Sequence, residues 1–325
     1  MITDLICKSK VMTEFSKDLE TDRMSHAYIV SGEDTYTRNI LMNLIAKMLF
    51  CKQKGCNKCK VCLQIDEFTH PDFKVYNTDG KISVKDIETL IEDTYVKSWE
   101  GSKKLYFIDN ADSLNPLKQN KLLKIFEEPP ADVMIFMFTS DEASLLQTIL
   151  SRAKKLYLPR FSTNSILLEL INEGVSKDVA ESCAVFSDGR FDKAFKFSKE
   201  EDYTNIYEES FDMLLTCSST KQMINMVDSR LFERENIELT FEFFEIIFRD
   251  VLEYVSKGDN FITLNRIDDI KKLATGFEYS PGAVAKCIFL IADAKQLINV
   301  NVTALALAEK LIYNILEEKH KCRLS

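Results

Sequence analysis

The sequence lacks the features of a membrane protein and of a protein that holds nucleic acid alone. No apolar run reaches the roughly 18 residues that a membrane-spanning helix needs. No basic segment followed by an apolar block opens the chain, so we expect no signal peptide and a cytoplasmic protein. Acidic residues outnumber basic ones by 51 to 42, which gives a net charge of −9. DNA-binding proteins usually present a basic face, so any role on nucleic acid is expected to depend on partners.

No internal repeat or low-complexity linker divides the 325 residues, whose length and 46% apolar content suit two or three domains. Up to residue 160, strand-like segments alternate with helical patterns, which predicts an α/β fold with a mostly parallel sheet covered on both faces. Only helical patterns follow. The predicted strands are Ala27–Ser31, Asp72–Tyr76, Leu105–Asp109, Val133–Thr139 and Lys155–Leu158.

The turn after the first predicted strand reads SGEDTYTRN over residues 31–39 and precedes a helical stretch, as a phosphate-binding P-loop does. Gly32 matches the first glycine of the P-loop pattern G-x-x-x-x-G-K-[ST]. The last glycine, the lysine and the hydroxyl residue are replaced by Thr37, Arg38 and Asn39. On these residues alone, an ordinary strand-to-helix turn without a ligand is favoured.

Each replacement removes a property that phosphate binding uses. Glycines let backbone amides face the phosphates without interference from side chains. The planar guanidinium of Arg38 does not replace a compact ammonium, and Asn39 has no hydroxyl for magnesium. Glu33 and Asp34 add negative charge that we expect to face a triphosphate.

Four of the nine cysteines form a cluster with the spacing C-x4-C-x2-C-x2-C. Four thiolates at this spacing can surround one structural zinc ion and leave no open position for water. An iron–sulfur cluster is an alternative, because parts of the spacing match ferredoxin motifs, although Asp66 stands where the bacterial motif has its last cysteine. Unliganded thiols are a third possibility, and nearby His70 is a substitute ligand. The predicted ligands are Cys51, Cys56, Cys59 and Cys62.

Six short stretches occur in one order along the chain: SHAY at 25–28, the cysteine cluster, HPD at 70–72, FIDNAD at 107–112, LLKIFEEPP at 122–130 and Ser151–Arg152. This order resembles the clamp-loader branch of the AAA+ ATPases in bacterial DNA polymerase III. The resemblance covers residues 1–160 and continues more weakly to the end, where Asn299–Asn301, Leu305 and Glu309 are similar to the last helices of that family.

The resemblance implies an AAA+ module over residues 1–160 with an inserted zinc loop at 51–62. A helical lid over 161–203 and a helical collar over 204–325 would follow. The collar would join motor (tau/gamma) subunits and a delta subunit in a five-membered ring, which uses ATP to load a sliding clamp onto primed DNA. The family's zinc module has a longer gap before its second cysteine, so Cys51 departs from the pattern.

The resemblance also implies that the catalytic groups are lost. Residues 105–110 are similar to a Walker B strand, in which Asp109 holds the metal position. The glutamate that polarises water in active members is Asn110 here, and an amide cannot take a proton at neutral pH. Asp192 lies near the position of a phosphate-sensing arginine. We therefore expect no bound ATP as a cofactor and no intrinsic ATPase, while weak nucleotide binding stays open.

Ser151-Arg152-Ala153 is similar to the Ser-Arg-Cys motif of clamp-loader subunits, with alanine in place of cysteine. In that family the arginine points into a neighbour's ATP site, where it stabilises charge on the transferred phosphoryl group. The resemblance thus implies that Arg152 is an arginine finger. Without the resemblance, a surface arginine bonded to a helix end explains the same residues.

Three functions are open at this stage. The first is a non-hydrolysing clamp-loader subunit, or stator, that supports clamp loading within the polymerase III holoenzyme. The second is an active motor ATPase of the same fold, and the third is a stand-alone zinc-binding interaction module. The apolar segment 241–248 is predicted to be a buried helix, with a partner-binding helix as the alternative.

Overall fold

The computed structural model contains two compact units. The first unit comprises Met1–Lys177 with Ser187–Phe195, and the second comprises Asp178–Phe186 with Lys196–Ser325. The three-domain division at residues 160 and 203 stays a prediction, and Asn299–Asn301 lie outside the described residues. The structure describes residues 2–99, 103–199, 203–217, 219, 221–222, 229–257, 266–278, 280–298 and 302–324.

A five-stranded parallel sheet forms the core of the first unit. Its order is β2-β3-β4-β1-β5, so β1 lies between β4 and β5. The central strands β3 and β4 are buried along their whole length, as their apolar sequences require. All five predicted strands are confirmed to within one residue at each end. They are β1 (Ala27–Ser31), β2 (Phe73–Tyr76), β3 (Lys104–Ile108), β4 (Val133–Thr139) and β5 (Lys154–Tyr157).

Local signals in the sequence define the helices around this sheet. Ser83 and Asp86 form the capping box that starts α5. Asn115 caps α6 by accepting the Lys118 N–H at 3.0 Å. The helices are α1 (Ile2–Cys7), α2 (Lys10–Glu20), α3 (Thr35–Phe50), α4 (Lys60–Asp66), α5 (Val84–Thr94), α6 (Pro116–Glu127), α7 (Gln147–Leu150) and α8 (Thr163–Asn172).

The rest of the chain is helical where it is described, as predicted. α12 is the central helix of the second unit and packs against α11, α13 and α14. Its aromatic side chains at 241, 243, 244 and 248 are buried, so the prediction of a buried helix is confirmed. These elements are α9 (Lys177–Phe186), α10 (Phe191–Lys199), α11 (Tyr203–Thr216), α12 (Ile237–Val255), α13 (Ile267–Gly276), α14 (Pro281–Leu297) and α15 (Ala304–Leu324).

The predicted fold class, an α/β module with a parallel sheet followed by helical parts, is therefore confirmed. Within the described ranges, no helix combines the length and apolar character needed to cross a bilayer. The end of β1 places the candidate P-loop beside the ends of β4 and β5, where parallel sheets commonly bind ligands.

Gly32 lets the chain turn closely past β5. Its φ is +152°, and an added Cβ would lie 2.6 Å from the Cβ of Leu158. We predict that Gly32→Ala lowers the free energy of unfolding by about 2–4 kcal/mol, because overpacking adds to backbone strain. Urea unfolding followed by circular dichroism measures the loss.

Gly174→Ala is the matched control for this prediction. Gly174 also has a positive φ, +88°, but nothing lies within 4 Å of an added Cβ. The free energy of unfolding of Gly174→Ala should fall by only about 1 kcal/mol. Equal losses in the two variants would contradict the close approach to Leu158.

Candidate functional site

The turn between β1 and α3 places a carboxylate where a P-loop would hold a phosphate. Asp34 is buried and caps α3, accepting the Thr37 N–H at 3.0 Å and the Thr37 hydroxyl at 2.7 Å. A helix N-terminus attracts anions because its first amides lack partners and its dipole end is positive. The sequence predicted that Asp34 faces a ligand. Instead, its side chain turns inward and serves as the anion itself.

The start of α10 completes this arrangement. The N–H groups of Phe191 and Asp192 donate to the Asp34 carboxylate at 2.8 and 3.2 Å. In return, the Asp192 carboxylate accepts the N–H and the hydroxyl of Thr35 at 3.0 and 3.1 Å. Each of these two helix N-termini therefore binds a carboxylate from the start of the other helix. Several of the amides that a phosphate would need are already hydrogen-bonded.

Arg190 balances the negative charge at this position. Its guanidinium donates to both oxygens of Asp192, at 3.0 and 2.9 Å, and pairs with Glu33. Burial raises the pKa of Asp192, but the Arg190 guanidinium and the Thr35 amide outweigh burial, so this pKa lies below its usual value. Asp192 therefore stays ionised. Glu33, Asp34 and Asp192, together with Arg190, form the carboxylate cluster.

Arg38 and Asp109 form a buried ion pair. Their side chains are 4% and 12% exposed, and the guanidinium Nη1 lies 2.5 Å from the carboxylate Oδ1. Burial raises the pKa of Asp109, which Arg38 offsets only in part. The cation at the P-loop lysine position and the carboxylate at the metal position are therefore bonded to each other.

Asn110 ties together the ends of β2 and β3. Its side-chain amide donates to the carbonyls of Asn77 and Thr78 at 3.2 and 3.1 Å. Asn77 donates in return to the carbonyls of Asp109 and Asn110 at 2.8 and 3.0 Å. Sequence reasoning missed Asn77, whose only signal is an asparagine directly after a strand. Asn39, the last predicted P-loop residue, is exposed and lines a surface groove with Tyr76.

Arg152 follows α7 on the surface of the first unit. Its Nη1 donates to the Thr148 carbonyl at 2.9 Å and to the Ser151 hydroxyl at 3.3 Å. Its Nη2 lies 2.9 Å from Glu127 Oε1, and its side chain is 37% exposed. This position at a helix end satisfies both the arginine-finger interpretation and the surface-arginine interpretation.

The four clustered cysteines converge on one point. All four sulfurs lie within 4.8 Å of one another, with separations of 3.7 Å for Cys51–Cys56, 3.8 Å for Cys51–Cys59 and 4.0 Å for Cys56–Cys62. Four sulfurs about 2.3 Å from one tetrahedral ion lie about 3.8 Å apart. The donor set therefore fits a single ion, and it includes Cys51, whose spacing departs from the family pattern.

The backbone around Cys51 favours its thiolate, whereas burial raises the pKa of Cys62. The N–H groups of Cys56, Gly55 and Gln53 point at the Cys51 sulfur and lower its pKa to about 6. Thiolates are the form that binds metal ions. The Lys47 ammonium fixes the loop to α3 by contacting Asn57 Oδ1 at 2.8 Å and Asp66 at 2.7 Å.

His70 is not part of this group. Its ring packs on Phe50 with 4.5 Å between centroids, and its Nδ1 accepts the Asp72 N–H at 3.3 Å. Across the part of the chain that the structure describes, the metal-binding arrangement consists of the four cysteines. His70 orders the segment that leads into β2.

Comparisons with known proteins agree with the motifs. The family model "DNA polymerase III, delta subunit" matches residues 7–162. The chain is 27% identical over 319 residues to DNA polymerase III subunit delta' of Bacillus subtilis (strain 168), covering 95% of this chain and 96% of that protein. It is 29% identical over 177 residues to subunit tau of Escherichia coli (strain K12), covering 52% of this chain and 28% of tau.

A solved structure of a gamma subunit-related protein from Thermotoga maritima has a TM-score of 0.45 and 16% identity, covering 94% of this chain and 99% of that chain. The fold assignment rests on the sheet of this chain instead. The match to subunit delta' runs beyond residue 162 into the helical part, where the sequence motifs are weaker. This chain is therefore similar to subunits of DNA polymerase III, and to the delta' subunit along almost its whole length.

Proposed function

We propose that this protein is a non-hydrolysing clamp-loader subunit, a stator that supports ATP-driven loading of a sliding clamp onto primed DNA. One observation carries the proposal: the cleft at the end of β1 is filled by side chains of the protein itself. Asp34 and Asp192 take the amides at two helix N-termini, and Arg38 is bonded to Asp109.

A triphosphate would have to displace these groups. If Asp34 left the start of α3, its carboxylate would lie close to the triphosphate and repel it. Separating the buried Arg38–Asp109 pair costs about 3–5 kcal/mol, since it leaves a charge without its partner. Asn110, bonded to the loop after β2, offers no base for an attacking water. Both binding and hydrolysis are therefore opposed.

We predict that the isolated protein does not hydrolyse ATP and binds magnesium-ATP with a Kd above about 1 mM, near the limit of measurable affinity. Isothermal titration calorimetry and a steady-state phosphate-release assay test this, with an active motor subunit as the positive control. Micromolar affinity with steady turnover would contradict the stator proposal and favour the motor ATPase alternative.

Partners follow from the relatives named above. We infer assembly with motor (tau/gamma) subunits and a delta subunit in a five-membered ring in the cytoplasm, with residues 204–325 as the collar and 161–203 as the lid. DNA and the clamp would be reached through the complex, which agrees with the net charge of −9. In this ring, Arg152 acts on the ATP site of a neighbouring motor subunit.

Arg152→Ala is expected to reduce ATP hydrolysis at the neighbour's site by a factor on the order of 10³, because an arginine finger stabilises the transition state. The DNA-stimulated ATPase of the reconstituted complex measures the effect, and size-exclusion chromatography checks that assembly is unchanged.

Arg23→Ala is the matched control for this experiment, because Arg23 is also an exposed arginine of the first unit. An unchanged ATPase in the Arg152 variant would remove the finger role. Failure of the wild-type chain to form a complex with motor subunits would instead favour a stand-alone zinc-binding module.

We infer that the four cysteines bind structural zinc. Four sulfur donors around one point leave no position for water or substrate, and zinc prefers this tetrahedral set. An iron–sulfur cluster would bind the four thiolates to more than one iron and hold them farther apart. The bound ion would fix the loop between α3 and α4.

We predict one zinc ion per chain and no iron, measured by elemental mass spectrometry on protein purified without chelator. Cys56→Ser should lose the ion, because three thiolates hold zinc more weakly than four. Cys7→Ser, which changes an exposed cysteine outside the cluster, should keep it. Stoichiometric iron with visible charge-transfer absorption would contradict the zinc assignment.

A further inference from the structure

Glu127 lies directly beside Arg152, although the two residues come from different motifs. Glu127 is the last residue of α6, and its Oε1 is 2.9 Å from Nη2 of Arg152. We propose that Glu127 is a positioning residue that holds the Arg152 guanidinium ready for an anionic group on a neighbouring subunit. This inference rests on the proposed arginine-finger function.

The backbone that carries Glu127 is fixed from two sides. Pro129 and Pro130 end α6, because proline has no N–H and excludes helical geometry just before it. His26 Nε2 donates to the Phe126 carbonyl at 3.0 Å, and Phe126 is buried. The histidine of the SHAY motif therefore anchors the helix end that presents Glu127.

The contacts of Arg152 leave part of its hydrogen-bonding capacity available. A guanidinium has five N–H donors. Among the described residues, Nη1 donates to the Thr148 carbonyl and the Ser151 hydroxyl, and Nη2 forms an ion pair with Glu127. Donors on Nε and Nη2 remain available on a side chain that is 37% exposed. Arg152 can therefore keep Glu127 and still bond phosphate oxygens.

Because Glu127 already holds the Arg152 side chain, a contact between Arg152 and a phosphate would cost less side-chain entropy. A free arginine side chain carries about 2 kcal/mol of rotamer entropy. Glu127 is 48% exposed, so water screens its charge and it does not cancel the guanidinium toward a phosphate. If the Glu127 carboxylate instead competed with the phosphate for Arg152, removing it would raise kcat. The direction of the change in kcat therefore separates the two effects.

The test compares four variants in the reconstituted complex with the ATP-hydrolysing subunits and primed DNA. Glu127→Ala should lower kcat for ATP about fivefold, the upper range for an exposed ion pair, with KM unchanged. Glu127→Gln keeps an acceptor of the same shape and should recover most of the loss. Glu128→Ala, at the adjacent exposed position, should match wild type. Arg152→Ala provides the reference that lacks the finger.

Each outcome decides the proposal. A higher kcat for Glu127→Ala, an unchanged kcat, or a Gln variant no better than Ala would overturn the positioning role. If Arg152→Ala itself leaves kcat unchanged, the finger function fails and the positioning role fails with it. If only Arg152→Ala lowers kcat, the finger function stands and the positioning role alone is wrong. Thermal unfolding of each isolated variant confirms that its fold is intact.

Discussion

The exchange of carboxylates between two helix N-termini is the constraint on which the first unit depends. Asp34 bonds the start of α10, and Asp192 bonds the start of α3. In a nucleotide-binding relative of this fold, phosphates would satisfy such amides. Here the bonds are internal, and the segment of residues 187–195 belongs to the first unit without a ligand.

The same substitution of internal for external partners occurs deeper in the cleft. The Arg38 cation needs an anion because it is buried, and Asp109 supplies one within the chain. By contrast, Arg152 lies on the surface and keeps donors available. The buried charge of Arg38 is neutralised within the chain, whereas the exposed Arg152 keeps donors that a partner could use. This contrast is the physical basis of the stator proposal.

Much of the fold could be predicted from the sequence because its signals are local. Apolar strands, the Ser83–Asp86 capping box and the Asn115–Pro116 helix start each depend on neighbours along the chain. The cysteine spacing likewise predicted the cluster that the structure brings together. The departures of Thr37 and Asn39 from the P-loop pattern are local signals as well.

The contacts that fill the cleft could not be predicted, because they join residues that are distant in sequence. Asp34 meets Phe191 across 157 positions, and Arg38 meets Asp109 across 71. The sequence showed the charges of Glu33 and Asp34 but not that Asp34 turns inward. Likewise, nothing in the EEPP motif indicates that Glu127 reaches Arg152.

An experimental structure of this chain with magnesium and a non-hydrolysable ATP analogue tests the central claim most directly. The account predicts Asp34 and Asp192 on the helix amides, Arg38 on Asp109, and no density for phosphates between them. A magnesium-bound triphosphate at the start of α3, with Arg38 released from Asp109, would contradict it.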